Sequence, residues 1–184
     1  MEALNSVKNG NGDYVIVPNV IIDVVKMKSL IFQGQEEPIT FSLIGDSPSK
    51  RSMQTIKNPE SFLLNVLSAI KIVFAKCNTI VVKLLRSLPG DLEQLTHVDF
   101  DTKNAHSVKD FSEFNYSGII SIESDTKLLV SQSRKSVDIP LHSMLFFRGD
   151  MPHAGAGYSK KNKRLFLSVS SDKFPVTENV FIVN

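Results

Sequence analysis

From Phe62 to Phe74 the chain repeats apolar residues at helical spacing: Phe62, Leu63, Val66, Leu67, Ile70, Val73 and Phe74. That spacing predicts a helix with a wide apolar face. Asn58-Pro59-Glu60 predicts its start, with Asn58 as N-cap and Pro59 in the first turn. Its end is expected near Cys77-Asn78, and Thr79 to Leu85 then reads as a strand. Before the helix, Tyr14 to Val17 and Val20 to Val25 are β-branched runs separated by Pro18-Asn19. Both read as strands, and the second also reads as the opening of a short helix. Pro38 to Ile44 is a further strand candidate, and Asp46 to Arg51 reads as a loop. Residues 1–13, with Asn9-Gly10-Asn11-Gly12, read as a mobile leader ending in a turn.

Beyond Leu88 the pattern changes to short apolar runs between turn signals. They are Tyr116 to Ile122, Lys127 to Val130, Val137 to Ile139, Ser143 to Phe147, Arg164 to Val169 and Val180 to Val183. Strands at that cadence predict a sandwich or jelly roll. The expected organisation is one α+β, mainly β domain over residues 1–184. In it, residues 14–87 form an α/β support and residues 88–184 an all-β catalytic half.

Composition narrows the classes. The 184 residues suit one domain with a sizeable core. Lys and Arg number 21 against 19 Asp and Glu, a balance too even to argue for nucleic-acid binding. Ser61 to Leu85 is the most apolar long stretch, but Lys71, Lys76 and Lys83 interrupt it, so it reads as core and not as a membrane span. Cys77 is the one cysteine, which excludes an internal disulfide and fits a reducing, intracellular location. The N-terminus lacks the apolar run of a secretion signal.

The chemistry concentrates in two segments. In His97-Val98-Asp99 the outer two residues share one face of an extended strand. Gly149-Asp150-Met151-Pro152-His153 supplies a second imidazole, and Arg164 follows. Two His and one carboxylate on one face of a metal leave the opposite face open to oxygen and a chelating ligand. A planar guanidinium inside a barrel binds a carboxylate bidentately. Arg164 also reads as part of the solvated basic turn Lys160-Lys161-Asn162-Lys163, although the apolar Leu165 to Leu167 favours the inward reading.

Other chemistries lack their residues. There is no phosphate-binding Gly loop, Gly155-Ala156-Gly157 is too short for a dinucleotide fingerprint, and one cysteine excludes a zinc finger. No nucleophile elbow is present. Cys77, at the end of an apolar helix, reads as buried and inert. His106 reads as solvated and His142 as a strand-end residue; Asp101 has the wrong spacing from His97 for a strand.

Leu88-Pro89-Gly90 through Gln94, then His97-Val98-Asp99-Phe100, resembles the first metal-binding strand of iron(II)/2-oxoglutarate-dependent oxygenases. Gly149 to Gly155 followed by Arg164 resembles their distal His and co-substrate Arg. The resemblance spans roughly residues 88–170 and rests on motif and order. It implies a double-stranded β-helix (jelly roll) with His97, Asp99 and His153 as Fe(II) ligands. It also implies that Arg164 binds the distal carboxylate of 2-oxoglutarate. Beside it, Gln94 reads as a residue that orients a ligand or contacts the co-substrate, or as a surface residue near a turn; Tyr116 and Tyr158 each read as a co-substrate hydrogen-bond donor or as a core residue with its hydroxyl at the rim. The implied reaction uses 2-oxoglutarate and O2, releases succinate and CO2, and hydroxylates a protein side chain, a nucleic acid or a small molecule. A cupin-like metalloprotein without 2-oxoglutarate and a non-catalytic jelly-roll binding module are the alternatives.

Overall fold

The computed structural model describes residues 2–9, 12–31, 37–38, 50–100, 114–171 and 181–182. Within them are helices α1 (Glu2–Lys8), α2 (Val24–Ile31) and α3 (Glu60–Val73). The strands are β1 (Tyr14–Val17), β2 (Glu37–Pro38), β3 (Arg51–Thr55), β4 (Thr79–Ser87), β5 (His97–Val98), β6 (Tyr116–Ser121), β7 (Lys127–Val130), β8 (Lys135–Asp138), β9 (Met144–Arg148), β10 (His153–Gly155), β11 (Asn162–Ser170) and β12 (Phe181–Ile182).

The strands form two antiparallel sheets. The larger has the order β1-β9-β6-β11-β4-β3-β2 and the smaller β12-β5-β10-β7-β8. The result is the expected jelly roll. Its N-terminal strands β1, β3 and β4 pair into the same sheet as β6, β9 and β11.

Each face of the large sheet is covered. On one side Val82, Leu84, Ile120, Met144, Leu165 and Leu167 meet the apolar face of α3. Toward the small sheet, Ile119, Leu145 and Phe147 pack on Leu128, Val130 and Ile139. Burying one such side chain contributes roughly 1.5–3 kcal/mol, so the large sheet is the rigid floor of any site between the layers.

Several local expectations change. Glu2–Lys8 is a helix, not a leader, and its Leu4 and Val7 are buried in the α3 core. Val20–Val25 is not a strand: Val20 is buried in the connection and Val24 opens α2. Asp23 Oδ1 accepts the Lys26 amide there, a side-chain cap that favours helix over strand. Asn58 does not cap α3; it takes a left-handed φ of 52°, which asparagine tolerates, and Pro59 stands at the cap without a side-chain bond. Arg51 begins β3, a polar strand absent from the sequence reading. Residues 39–44 of the Pro38 to Ile44 candidate, residues 46–49 of the expected loop, Asp101 and His106 lie outside the described residues. Among the described residues no helix is long and apolar enough to cross a membrane.

Candidate metal centre

Three residues from two distant segments converge at β5 and β10, two adjacent interior strands of the small sheet. His97 on β5 and His153 on β10 are direct partners across one antiparallel pair. Their ring centroids are 4.4 Å apart. Asp99 follows two residues after His97 and turns to the same side: its Oδ1 lies 4.0 Å from His97 Nε2, and its Oδ2 3.6 Å from His153 Nε2. The three ligand atoms all fall within 4.8 Å of one another.

The imidazoles are fixed in the tautomer a metal needs. His97 Nδ1 is 2.8 Å from the Leu95 carbonyl, and His153 Nδ1 is 2.9 Å from the Met151 carbonyl. A carbonyl only accepts, so each Nδ1 carries a proton, and each Nε2 is the ring nitrogen turned toward Asp99. Burial, and then the adjacent His153, push the His97 pKa down to about 4 against the pull of Asp99. Near neutral pH this imidazole is a neutral ligand. Phe147 packs edge-on against His153 at 4.8 Å. Ser117 Oγ donates to Asp99 Oδ2 at 2.6 Å, and the Asp99 amide donates to the Gly149 carbonyl at 3.0 Å. The Asp99 side chain is 20% exposed against 5% for each imidazole, so the carboxylate borders the opening. A nitrogen–nitrogen–oxygen donor set with this orientation fits Fe(II), and His97, Asp99 and His153 would hold it.

The large sheet supplies the second half of the site. In cross-strand register, Ser117 pairs with Phe147 and Ser168, and Ser121 with Arg164. All five side chains lie on the face toward the small sheet. Four residues separate the Ser117 row from the Arg164 row, about 13 Å of strand. Arg164 is 3% exposed. Its Nη1 donates to Ser87 Oγ at 3.2 Å and Asn162 Oδ1 at 3.3 Å, and its guanidinium lies 5.0 Å over the Tyr158 ring. Among the described residues no carboxylate pairs with it. Burial lowers its pKa, opposed by Tyr158 and Asp91. Arginine remains protonated even so, leaving a buried cation that calls for an anion.

A second buried guanidinium, Arg51, was not legible in the sequence. Its Nε is 2.6 Å from Asp91 Oδ2, and its Nη2 donates to the Leu92 and Ala156 carbonyls at 2.6 and 2.7 Å. Burial, then Arg164, lowers its pKa to about 10, with Asp91 opposing. Arg51 thus ties β3 both to the lead-in of β5 and to the segment just after β10.

The remaining candidates fall into different places. Gln94 Oε1 accepts the Gly155 amide at 2.9 Å, and its own amide donates to the Gly155 carbonyl at 2.9 Å. Gln94 therefore fastens the His97 segment to the His153 strand, and that oxygen is not turned to a co-substrate. A Cβ at Gly155 would collide with Arg51 and Gln94, which explains the glycine. Tyr116 is placed away from the site. It stacks on Phe146 at 5.4 Å and against Phe74 at 4.4 Å, on the α3 side of the sheet, while its neighbour Ser117 faces Asp99. The Tyr158 hydroxyl is held by the Lys127 backbone, leaving its ring beneath Arg164. His142 is an exposed strand-end residue, as expected.

No protein-family model and no curated protein matches the sequence. Solved structures do match in shape. A Pseudomonas putida prolyl-4-hydroxylase superposes with a TM-score of 0.64 at 10% identity, over 92% of this chain and 97% of that one. The fold is that of the 2OG-Fe(II) oxygenases. A Burkholderia pseudomallei oxidoreductase of that family gives 0.62 at 14% identity, over 92% and 89%. A Trichoplax adhaerens prolyl hydroxylase, in complex with a hypoxia inducible factor peptide fragment, gives 0.64 at 12% identity, over 93% and 88%. Within this oxygenase fold, the chain also carries a His-Asp-His cluster able to take a metal.

Proposed function

We propose that this protein is an Fe(II)- and 2-oxoglutarate-dependent oxygenase that hydroxylates its substrate with release of succinate and CO2. The observation that carries the reading is the pairing of the His97–Asp99–His153 cluster with Arg164, a buried guanidinium lacking a carboxylate partner among the described residues. Arg164 also favours this reading over a metalloprotein that does not use 2-oxoglutarate, because an acidic co-substrate accounts for a buried cation that has no carboxylate partner among the described residues. A complete ligand cluster weighs against a non-catalytic binding module.

Bound Fe(II) supplies Lewis acidity and oxygen activation at the positions its three protein ligands leave open. His97 and His153 present their Nε2 atoms, each ring oriented by its Nδ1 bond to a backbone carbonyl. Asp99 contributes the one ligand charge, and Ser117 holds its carboxylate. Arg164 binds the distal carboxylate of 2-oxoglutarate, with Ser87, Asn162 and the Tyr158 ring fixing the guanidinium. Between the two ends, Ile119 and Phe166 line the sheet face and exclude water from the reacting end. A reducing, intracellular setting belongs to the same proposal, since it keeps iron ferrous and fits a chain with a single cysteine.

Calorimetry on Mn(II)-loaded protein tests the co-substrate assignment. 2-Oxoglutarate is expected to bind at least roughly tenfold more tightly than 2-oxobutyrate, which lacks the distal carboxylate, a difference expected of one charge-assisted contact. Equal affinities would remove Arg164 from the role. Peptides are the first substrate class to screen for succinate release, because one structural neighbour holds a peptide fragment.

A further inference from the structure

The burial of the large sheet's inner face marks where the site opens. In the row midway between the Asp99 end and the Arg164 end, the register aligns Ile119, Phe166, Lys83 and Thr55 across β6, β11, β4 and β3. Ile119 is buried, Phe166 and Lys83 are half-buried, and Thr55 is exposed. Neighbouring inward positions on β11 and β4, Ser168 and Val81, are also half-buried. The inner face therefore opens toward β4 and β3.

Lys83 is the one charged side chain in that row. Among the described residues its only polar contact is the Met53 sulfur at 3.9 Å, and no carboxylate pairs with it. A half-buried ammonium without a counter-charge is costly. Among the described residues, the other charges on this inner face have partners. Arg51 pairs with Asp91. On the reading of the site given above, the two charges of Fe(II) and the one of Arg164 balance Asp99 and the dianionic 2-oxoglutarate. The charge of Lys83 is left over, on the open flank.

We propose that Lys83 binds an anionic group of the primary substrate, making it a specificity-determining residue and the substrate an acidic one. The group is a carboxylate or a phosphate monoester, either of which would accept hydrogen bonds from the ammonium. This rests on the oxygenase reading of the same site.

The test uses anaerobic protein loaded with Mn(II) and 2-oxoglutarate, and capped proline-containing peptides that differ at one flanking position. That position is Glu, Gln, Lys or phosphoserine. Affinities are read from paramagnetic broadening of the peptide signals. Wild-type protein is expected to prefer the Glu or the phosphoserine form over the Gln form by about tenfold, and whichever acid wins identifies the group. In Lys83→Met the preference should fall to about one, and Lys83→Glu should prefer a Lys peptide. Absence of an acid preference in wild type, including no binding of any peptide, overturns the proposal. So does a preference that survives Lys83→Met. A loss of 2-oxoglutarate affinity in Lys83→Met as large as in Arg164→Ala would assign Lys83 to the co-substrate. If wild-type protein takes up no 2-oxoglutarate, the oxygenase reading itself fails; if it does and shows no acid preference, only the role of Lys83 fails.

Discussion

His97 and His153 stand opposite each other in one antiparallel pair, and each ties its Nδ1 to the carbonyl two residues before it. The shared i−2 bond turns both Nε2 atoms to the same point, where Asp99 meets them. Two strands and two backbone carbonyls thus set the ligand geometry before any metal arrives.

That geometry makes Asp99 indispensable and Ser117 its support. Asp99→Ala is expected to abolish Fe(II) binding while circular dichroism stays that of wild type. Ser117→Ala removes the 2.6 Å bond to the carboxylate and should weaken metal binding by about 10–100-fold, as loss of such outer contacts does elsewhere. Metal titration monitored by calorimetry measures both. Unchanged affinity in Ser117→Ala would mean that Asp99 is held in place by other contacts.

Arg164 predicts an unusual sign. Its burial without a carboxylate partner among the described residues is unfavourable in the ligand-free protein. Arg164→Met should therefore raise, or leave unchanged, the Tm of metal-free protein. It should also abolish the additional stabilisation that 2-oxoglutarate gives to metal-loaded wild type. Thermal scans of both proteins with and without 2-oxoglutarate check this. A large fall in Tm of the metal-free variant would make Arg164 a structural residue.

Arg51 predicts the opposite sign. Removing it leaves Asp91 buried and unpaired and frees two backbone carbonyls. Arg51→Met should cost about 3–5 kcal/mol, read by urea denaturation. Adding Asp91→Asn should recover part of the loss, because the orphaned charge is gone. Additive losses in the double variant would show that the two groups are not coupled.

Helix α1 is expected to be part of the folded core. Leu4 is 1% exposed, so Leu4→Ala should destabilise by about 2–5 kcal/mol. A change below about half a kcal/mol would mean that residues 2–8 do not pack as described.

Much of this was legible in the sequence, and the failures have physical causes. The β-branched runs gave most strands of the large sheet, and the helical spacing gave α3. The His-x-Asp spacing put two ligands on one face, but only the tertiary pairing of β5 with β10 brings His153 to them. Of the two readings of Tyr116 the core one holds; the sequence could not choose because every residue of β6 is buried, so alternation could not tell which face is inward. Strand β3 was missed because Arg-Ser-Met-Gln-Thr has Met53 as its one apolar residue; its Arg51 and Gln54 are buried by tertiary contacts, not by hydrophobicity. Helix α1 offers only Leu4 and Val7 as apolar anchors, too few for a periodic signal in a short segment.

The most direct measurement is an anaerobic titration of wild-type protein with Fe(II) and 2-oxoglutarate, followed by visible absorption. The account predicts a metal-to-ligand charge-transfer band that needs both additions, disappears in Asp99→Ala and requires far more 2-oxoglutarate in Arg164→Ala. A folded protein that binds Fe(II) yet develops no such band would contradict it.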